Sequence, residues 1–262
     1  MSELLYVYGF VPAGTAQPAD LEGIGGSCVE LLDLHPEFRG VCSLVPESKY
    51  APERVEAKLE DLRWVAEQGV AHERVVAWFV DHAEIVPVPL FTFYSGPGAF
   101  REEAMERAAE IRARLARFVG RREWDLKVAF DAGTALGHAG ELSEAVHALD
   151  EQIAEAAPGR QYLLQRKRNE LARAEVSAST RRIAYDLLDG IRPLVEEVVQ
   201  LPLPRADLDL PVVMNAALLV GKENEAALAS ALAARAASLQ PLGVRADFSG
   251  PWAPYRFIGD EA

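Results

Sequence analysis

Five histidines are the residues of this 262-residue chain best suited to bind a metal or to move a proton. His72 and His82 are ten residues apart on or beside a helix, so they do not share a helix face at the four-residue spacing of a helical metal site. His138 and His147 flank the start of a long helical region, and His35 stands before a proline in a turn. These positions predict surface or hydrogen-bonded histidines, with no metal site.

The other residues that could do chemistry stand in incomplete motifs. No serine lies in a Gly-x-Ser-x-Gly context, and the glycine clusters at 23–26 and 96–98 lack the Lys-Ser/Thr of a phosphate-binding loop. We therefore predict a protein that is not an enzyme and that uses no cofactor. An alternative stays open, in which a ferredoxin-like small-ligand-binding protein or enzyme of unknown substrate has His72 or His82 lining a pocket between helices and sheet.

The overall charge restricts the classes of partner. The chain has 27 basic and 40 acidic residues, a formal net charge of −13, and such a surface repels phosphate backbones and anionic lipids. We expect no nucleic acid and no membrane as partner. The opening Met1-Ser2-Glu3 lacks the basic region of a signal peptide, and we expect a cytoplasmic protein.

One stretch of the chain reverses this charge. Between residues 160 and 182 seven cations face two carboxylates, and arginine outnumbers lysine six to one, which favours fixed bidentate contacts. The stretch is either a solvated helix face or a docking face for an acidic partner surface, which includes the chain's own acidic N-terminal domain. The candidate interaction surface comprises Arg160, Tyr162, Arg166, Lys167, Arg168, Arg173, Arg181 and Arg182.

The C-terminal segment 249–257 combines two prolines, a glycine and three aromatic residues. Proline and glycine disfavour a regular helix or a central strand, so we expect the segment to lie extended against another surface. It is either a strap over its own domain or an exposed partner motif. The candidate docking residues of this tail are Trp252, Tyr255 and Phe257.

The elements that position these residues form an α+β pattern in two domains. Residues 1–120 are the predicted N-terminal α+β domain, in which Leu4–Val11 is a strand covered on both faces and 28–45 a β-hairpin. A helix beginning at Pro52 would bury Val55, Leu59, Leu62 and Val65, and a second would cover Val70–Asp81. Ile85–Tyr94 reads as an edge strand, because Pro87 and Pro89 block the same side.

Residues 121–262 are the predicted C-terminal ferredoxin-like and helical domain, with an extended aromatic tail at 249–262. The alternation at 124–130, the buried run Val212–Val220 and the alternation at 244–248 predict strands. The long helical region 139–188 is broken at Pro158-Gly159, which predicts a long helical hairpin. We expect ferredoxin-like mixed or antiparallel sheets with helices on one face.

With these segments identified, the chain resembles the gas vesicle protein family GvpF/GvpL over nearly its full length. The likeness rests on ordered motifs, which are Tyr6-Val7-Tyr8-Gly9, His72, Val86–Thr92, Glu123-Trp124-x-x-Lys127-Val128, Gly159-Arg160-x-Tyr162-Leu163, Asn215-Ala216-Ala217-x-Leu219-Val220 and Gly250-Pro251-Trp252-x-Pro254-Tyr255-x-Phe257. The family commonly shows Arg-Phe-Gly near the Pro89 strand, where this chain has Leu90-Phe91-Thr92.

The resemblance implies a minor structural or assembly protein of gas vesicles, the gas-filled protein shells that provide buoyancy. It implies contact with the gas vesicle shell protein or with other accessory gas vesicle proteins, without a cofactor, and localisation at the gas vesicle. It also implies a modified ferredoxin-like portion beside a domain of long helices. Whether the protein lies inside or outside the shell does not follow from the sequence.

Overall fold

The computed structural model describes residues 2–204 and 210–259. The chain forms two compact units, one comprising Met1–Glu123 with Pro251–Ala262 and the other comprising Trp124–Gly250. The sequence analysis places the tail in the C-terminal domain, whereas the structure groups it with the first unit. The physical reason is that Ala253 and Tyr255 pack into the apolar core of that unit.

The first unit is organised around strand β1 (Glu3–Pro12), which is buried from Leu5 to Val11. It pairs antiparallel with β3 (Phe38–Pro46), and β3 pairs with β2 (Glu30–His35). This arrangement confirms the doubly covered strand and the hairpin. On its other side β1 pairs with two short strands, β4 (Val86–Pro87) and β5 (Phe93–Tyr94).

The predicted strand Ile85–Tyr94 is therefore at the edge of the sheet, as expected, but it is not continuous. Phe91 adopts a φ of 67°, in the left-handed region that L-residues disfavour, and this conformation separates β4 from β5. The Val88 N–H donates to the Tyr8 carbonyl at 3.0 Å. Because alternate residues point their N–H groups to opposite sides, Pro87 and Pro89 lie on the outer side and block further pairing.

The α-helices among the described residues of the first unit are α1 (Glu47–Tyr50), α2 (Pro52–Glu56), α3 (Leu62–His82), α4 (Pro97–Glu106) and α5 (Ala108–Phe118). The prediction of one helix through Val55 and Val65 is wrong, because Asp61 starts α3 by accepting the Trp64 N–H at 3.1 Å. The predicted helix Val70–Asp81 is the later part of α3.

The second unit has a four-stranded sheet in the order β7-β8-β6-β9. Its strands are β6 (Arg121–Phe130), β7 (Glu197–Gln200), β8 (Val212–Gly221) and β9 (Val244–Trp252). The Phe130 N–H donates to the Pro211 carbonyl at 3.1 Å and the Asp131 N–H to the Gly243 carbonyl at 2.8 Å. The end of β6 thus meets the starts of β8 and β9, which makes both neighbours antiparallel to it.

Strand β9 runs further than the alternation at 244–248 indicated and includes Pro251. The edge position of β9 tolerates this proline, because an outer strand needs partners on one side only. Strand β7, which begins at Glu197, is an element that the sequence patterns did not predict.

The helices of the second unit are α6 (Ala132–Gly137), α7 (Ala139–Leu142), α8 (Glu144–Glu155), α9 (Pro158–Ile191) and α10 (Glu225–Leu239). Side chains of α9 and α10, such as Val176, Leu187 and Leu228, share one apolar core with Leu126 and Leu218 of the sheet. The predicted α+β class, with sheets covered by helices and a long helical hairpin, is confirmed.

Candidate functional site

Helices α8 and α9 pack as an antiparallel hairpin. Pro158 breaks the helical run and occupies the first turn of α9, where a proline is tolerated because that position has no intrahelical N–H bond to lose. Three contacts cross the pair: Gln161 Nε2 donates to the Ile153 carbonyl at 3.2 Å, Arg168 Nε to Asp150 at 2.9 Å, and Ser143 Oγ to Glu175 at 3.3 Å. As the residue number rises on α9 it falls on α8, so the helices run in opposite directions.

The outer part of this hairpin has no fully buried residue. Leu149 is the last buried residue of α8 and Ala172 the first buried residue of α9, and every residue between 150 and 171 is half-buried or exposed. We call residues 150–173 the hairpin tip.

The cations predicted on this stretch divide into paired and unpaired groups. Arg166 lies 3.3 Å from Glu170, Arg168 lies 2.9 Å from Asp150 and Arg182 lies 3.9 Å from Glu175. Between residues 160 and 182, four exposed cations form no ion pair with the described residues, and they are Arg160, Lys167, Arg173 and Arg181.

The structure brings only part of the predicted surface together. Arg160, Arg166, Lys167, Arg168 and Arg173 lie on the hairpin tip, with Tyr162 and Leu163 beside them. Arg181 and Arg182 lie about 12 Å further along the axis of α9, at 1.5 Å per residue from Arg173, and belong to its packed part. Arg181 lines a groove of about 270 Å³ there, with Tyr185 and Leu203.

Two large apolar side chains are unusually exposed on the tip. Tyr162 is 72% exposed and Leu163 66% exposed. Tyr162, Arg166, Asn169 and Arg173 recur at helical spacing and line a shallow groove of about 390 Å³. Tyrosine and arginine, which line this groove, are among the residue types that contribute most to binding energy at protein interfaces.

A second cleft, of about 960 Å³, lies where the hairpin joins the rest of its unit. Its lining mixes Glu141, Glu144, His147, Glu175 and Arg182. The sequence analysis missed it, because α7 and α8 are joined by a break at Ser143 that no proline or glycine announces. Ser143 is buried and donates to Glu175, which pairs with Arg182, so the polar groups at the floor of this cleft bond to one another.

The tail residues lie in different environments of the first unit. Phe257 is buried, Tyr255 half-buried, and Trp252 38% exposed. The Arg256 backbone N–H donates to Glu123 at 2.9 Å, and its guanidinium also donates to this carboxylate, which is almost completely buried.

Arg117 completes these contacts by donating to the Phe257 carbonyl at 3.1 Å. The tail is therefore held by charged groups as well as by apolar burial. A charged hydrogen bond of this kind contributes about 1.5–3 kcal/mol.

His72 lies at the centre of a buried hydrogen-bonded chain in the same unit. Tyr6 Oη is 2.6 Å from Nδ1 of His72, Tyr255 Oη is 3.1 Å from Nε2, and Tyr255 donates to Glu73 at 3.2 Å. A neutral histidine satisfies this chain with Tyr6 donating to Nδ1 and with Nε2–H donating to Tyr255. Burial lowers the pKa of His72 from 6.5 to about 4, which agrees with the neutral form.

The other histidines also have structural partners. His82 stacks on Trp78 at 4.2 Å between ring centroids, and His138 lies 2.8 Å from Glu141. In the part of the chain that the structure describes, no group of three His, Cys, Asp or Glu residues is arranged to hold a metal ion. In that same part, every helix is too short or too polar to cross a bilayer.

Helix α3 carries an apolar surface that the sequence analysis did not identify. Leu62 is 80% exposed and Val70 63% exposed, and Ala66 lies between them at four-residue spacing on the same helix face. The sequence analysis assigned Leu62 to a buried stripe, because it placed the start of the helix at Pro52. Leu59, just before the helix, is 49% exposed.

Known proteins resemble this chain along most of its length. A model of the family described as gas vesicle synthesis protein GvpL/GvpF matches residues 4–259. Gas vesicle protein L of a Streptomyces species is 31% identical over 266 residues, which cover 98% of this chain and 93% of that protein. Gas vesicle protein L2 of Halobacterium salinarum is 25% identical, over 72% of this chain and 73% of that protein.

Solved structures show the same fold. The crystal structure of gas vesicle protein GvpF from Anabaena superposes with a TM-score of 0.73 at 18% identity and covers 100% of both chains. GvpF from Microcystis aeruginosa gives 0.67 at 20% identity over 98% of this chain and 99% of that one. These matches confirm the resemblance found in the sequence motifs, and the chain belongs to the GvpL/GvpF family of gas vesicle synthesis proteins.

Proposed function

We propose that this protein is a minor structural or assembly protein of gas vesicles that binds the shell protein, or other accessory gas vesicle proteins, without covalent chemistry. Membership of the GvpL/GvpF family supports the gas vesicle role. The observation that carries the binding role is the hairpin tip, where unpaired cations surround exposed Tyr162 and Leu163.

The hairpin tip has the properties of a docking surface. Its backbone is already folded as a helix pair, so binding orders side chains but no additional backbone. Arg160, Lys167 and Arg173 gain ion pairs on binding without first breaking one inside the protein. We expect the partner surface to combine carboxylates with an apolar patch that takes Tyr162 and Leu163.

The tail acts as a strap over the first unit in this proposal. Phe257 and the Arg256–Glu123 contact are internal to that unit, and Trp252 remains the more exposed of the three aromatic candidates. The protein would work at the gas vesicle after cytoplasmic synthesis, without a cofactor.

A capture experiment with matched variants tests the proposal. The variant Arg160→Glu, Lys167→Glu, Arg173→Glu reverses three unpaired cations on the tip. The control variant Lys49→Glu, Arg192→Glu, Arg235→Glu reverses three exposed cations elsewhere that also form no ion pair within residues 2–204 and 210–259. Arg168 is left intact because its contact with Asp150 joins the two helices.

Wild type and control should capture the shell protein or an accessory gas vesicle protein equally, and the tip variant should lose about tenfold or more in affinity. Thermal unfolding confirms that both variants fold. Equal capture by the tip and control variants, or capture no greater than that of an unrelated acidic protein, would contradict the proposal.

A further inference from the structure

The first unit carries an exposed apolar surface whose chemistry is the counterpart of the hairpin tip. We call it the α3 patch and define it as Leu59, Leu62, Ala66, Val70 and Leu90. The exposed fractions of Leu62 and Val70 mean that these side chains have little contact within their own chain. Scattered exposed apolar residues are common, but apolar side chains that adjoin along one helix face form a contiguous surface, which is the kind that association sites use.

Stacked aromatic rings support the α3 patch. Trp64 stacks on Phe91 with ring centroids 5.4 Å apart and planes within 4°, and the Lys58 ammonium lies 5.0 Å above the Trp64 ring. Phe91 occupies its disfavoured backbone conformation at the turn between β4 and β5, which places Leu90 near Gly69 of α3. Strained residues of this kind persist where the surrounding structure holds them, and they concentrate at binding sites.

Charge around the two surfaces is opposite. Residues 53–67, which frame the α3 patch, contain five carboxylates and three cations, and all five carboxylates are exposed. On the α9 side of the hairpin tip, residues 160–173 contain five cations and one carboxylate, while residues 150–155 of α8 add three carboxylates, of which Asp150 pairs with Arg168. Each surface therefore presents an apolar centre within a charged rim, and the two rims have opposite signs.

We propose that the hairpin tip of one copy of this protein docks on the α3 patch of a second copy. Tyr162 and Leu163 would cover Leu62 and Val70, while the tip cations face carboxylates such as Glu56 and Glu60. Every copy carries both surfaces, and the two surfaces differ, so the contact is head to tail and not self-complementary.

A head-to-tail contact repeats from copy to copy. It closes into a ring or continues as a row, and in an open row one hairpin tip remains free at the end. Such a row would present that free tip to a different partner, so self-association and the proposed gas vesicle contacts are compatible. The association should weaken as salt is added, because part of its attraction is between exposed charges.

Sedimentation velocity on the purified full chain tests this contact without any gas vesicle protein present. The patch variant is Leu62→Asp with Val70→Asp, and the tip variant is Tyr162→Asp with Leu163→Asp. The control variant is Met105→Asp with Val119→Asp, which changes two apolar residues that are 49% and 56% exposed elsewhere. All six positions are exposed, so we expect each variant to fold, and circular dichroism checks this.

Wild type and control should form species larger than a monomer as concentration rises, and the patch and tip variants should each remain monomeric. Mixing the two defective variants is decisive. The patch variant keeps an intact tip and the tip variant keeps an intact patch, so the mixture should form a one-to-one dimer and grow no further.

Three results would overturn the proposal: wild type that stays monomeric at its highest attainable concentration, self-association that survives in both variants, or a mixture that remains monomeric. Capture of gas vesicle proteins by a monomeric wild type would retain the proposed function while rejecting this contact.

Discussion

His72 shows how burial decides the role of a single residue. On sequence alone it was a candidate to line a ligand pocket, since histidine titrates near neutral pH. In the structure Tyr6 and Tyr255 bond to its two ring nitrogens, and its ring is 3% exposed. Each nitrogen thus has a partner, and the residue stabilises the core between strand β1, helix α3 and the tail.

This burial makes stability depend on pH. The pKa of His72 is about 4 in the folded state and 6.5 when exposed, so between these values the unfolded chain binds more protons. The free energy of unfolding should therefore fall as pH falls from about 6.5 to about 4, by up to about 3 kcal/mol. Denaturant unfolding at several pH values should show a shallower fall for His72→Gln than for wild type.

Comparison with the variant is needed because a neighbouring group acts in the opposite direction. Burial raises the pKa of Glu73, so this carboxyl takes up its proton more readily in the folded state and adds stability as pH falls. If the free energy of unfolding fell equally with pH in wild type and in His72→Gln, the imidazole would not be the cause of the lost stability.

The α8–α9 hairpin shows how neighbouring cations on one helix have different roles. The Arg168 side chain is 20% exposed and contacts Asp150 on the facing helix, whereas Arg166 is 74% exposed and pairs along its own helix. A pair between two elements couples their packing, while an exposed pair within one helix contributes about 0.3–0.5 kcal/mol.

We therefore expect Arg168→Glu to lower the free energy of unfolding by about 1–2 kcal/mol and Arg166→Glu to change it by less than about 0.5 kcal/mol. The double variant Asp150→Arg with Arg168→Asp should recover part of the loss, because it restores opposite charges across the hairpin. Urea unfolding measures all four proteins. No recovery in the double variant would show that the two side chains are not coupled.

Elements with a clear hydrophobic period were predictable from the sequence. The buried run of β8, the apolar strand β1 and the Pro158 break that makes the hairpin all follow from local patterns. Strand β7 did not, because Val198 and Val199 are only half-buried at a sheet edge and follow two glutamates. The start of α3 was also not predicted. Pro52 is the more recognisable helix start, but the helix that begins there, α2, is short, and Asp61 caps the separate helix α3.

The candidate site was predictable in its charge and unpredictable in its geometry. The count of cations in 160–182 is visible in the sequence, but which of them pair depends on residues brought close by folding, such as Asp150 for Arg168. The α3 patch required knowledge of which face of α3 is buried. Tail residues from Pro251 group with the first unit, a long-range contact that no local pattern encodes.

At the scale of the whole molecule, a strongly acidic composition contrasts with the positive net charge of residues 160–182. Two units, each with its own apolar core, account for most large aliphatic and aromatic side chains. Within the hairpin tip, the 22 residues from 150 to 171 include none that is buried. A solvated hairpin that contributes so little to a core is more simply explained by a partner than by stability.

Gas vesicle formation in cells is the most direct measurement of that claim. In a host whose gas vesicle genes lack this one, wild type and the control Lys49→Glu, Arg192→Glu, Arg235→Glu should restore vesicles, counted by electron microscopy. The tip variant Arg160→Glu, Lys167→Glu, Arg173→Glu should fail to do so at equal protein abundance. Full restoration by the tip variant would contradict the assignment of function to the hairpin tip.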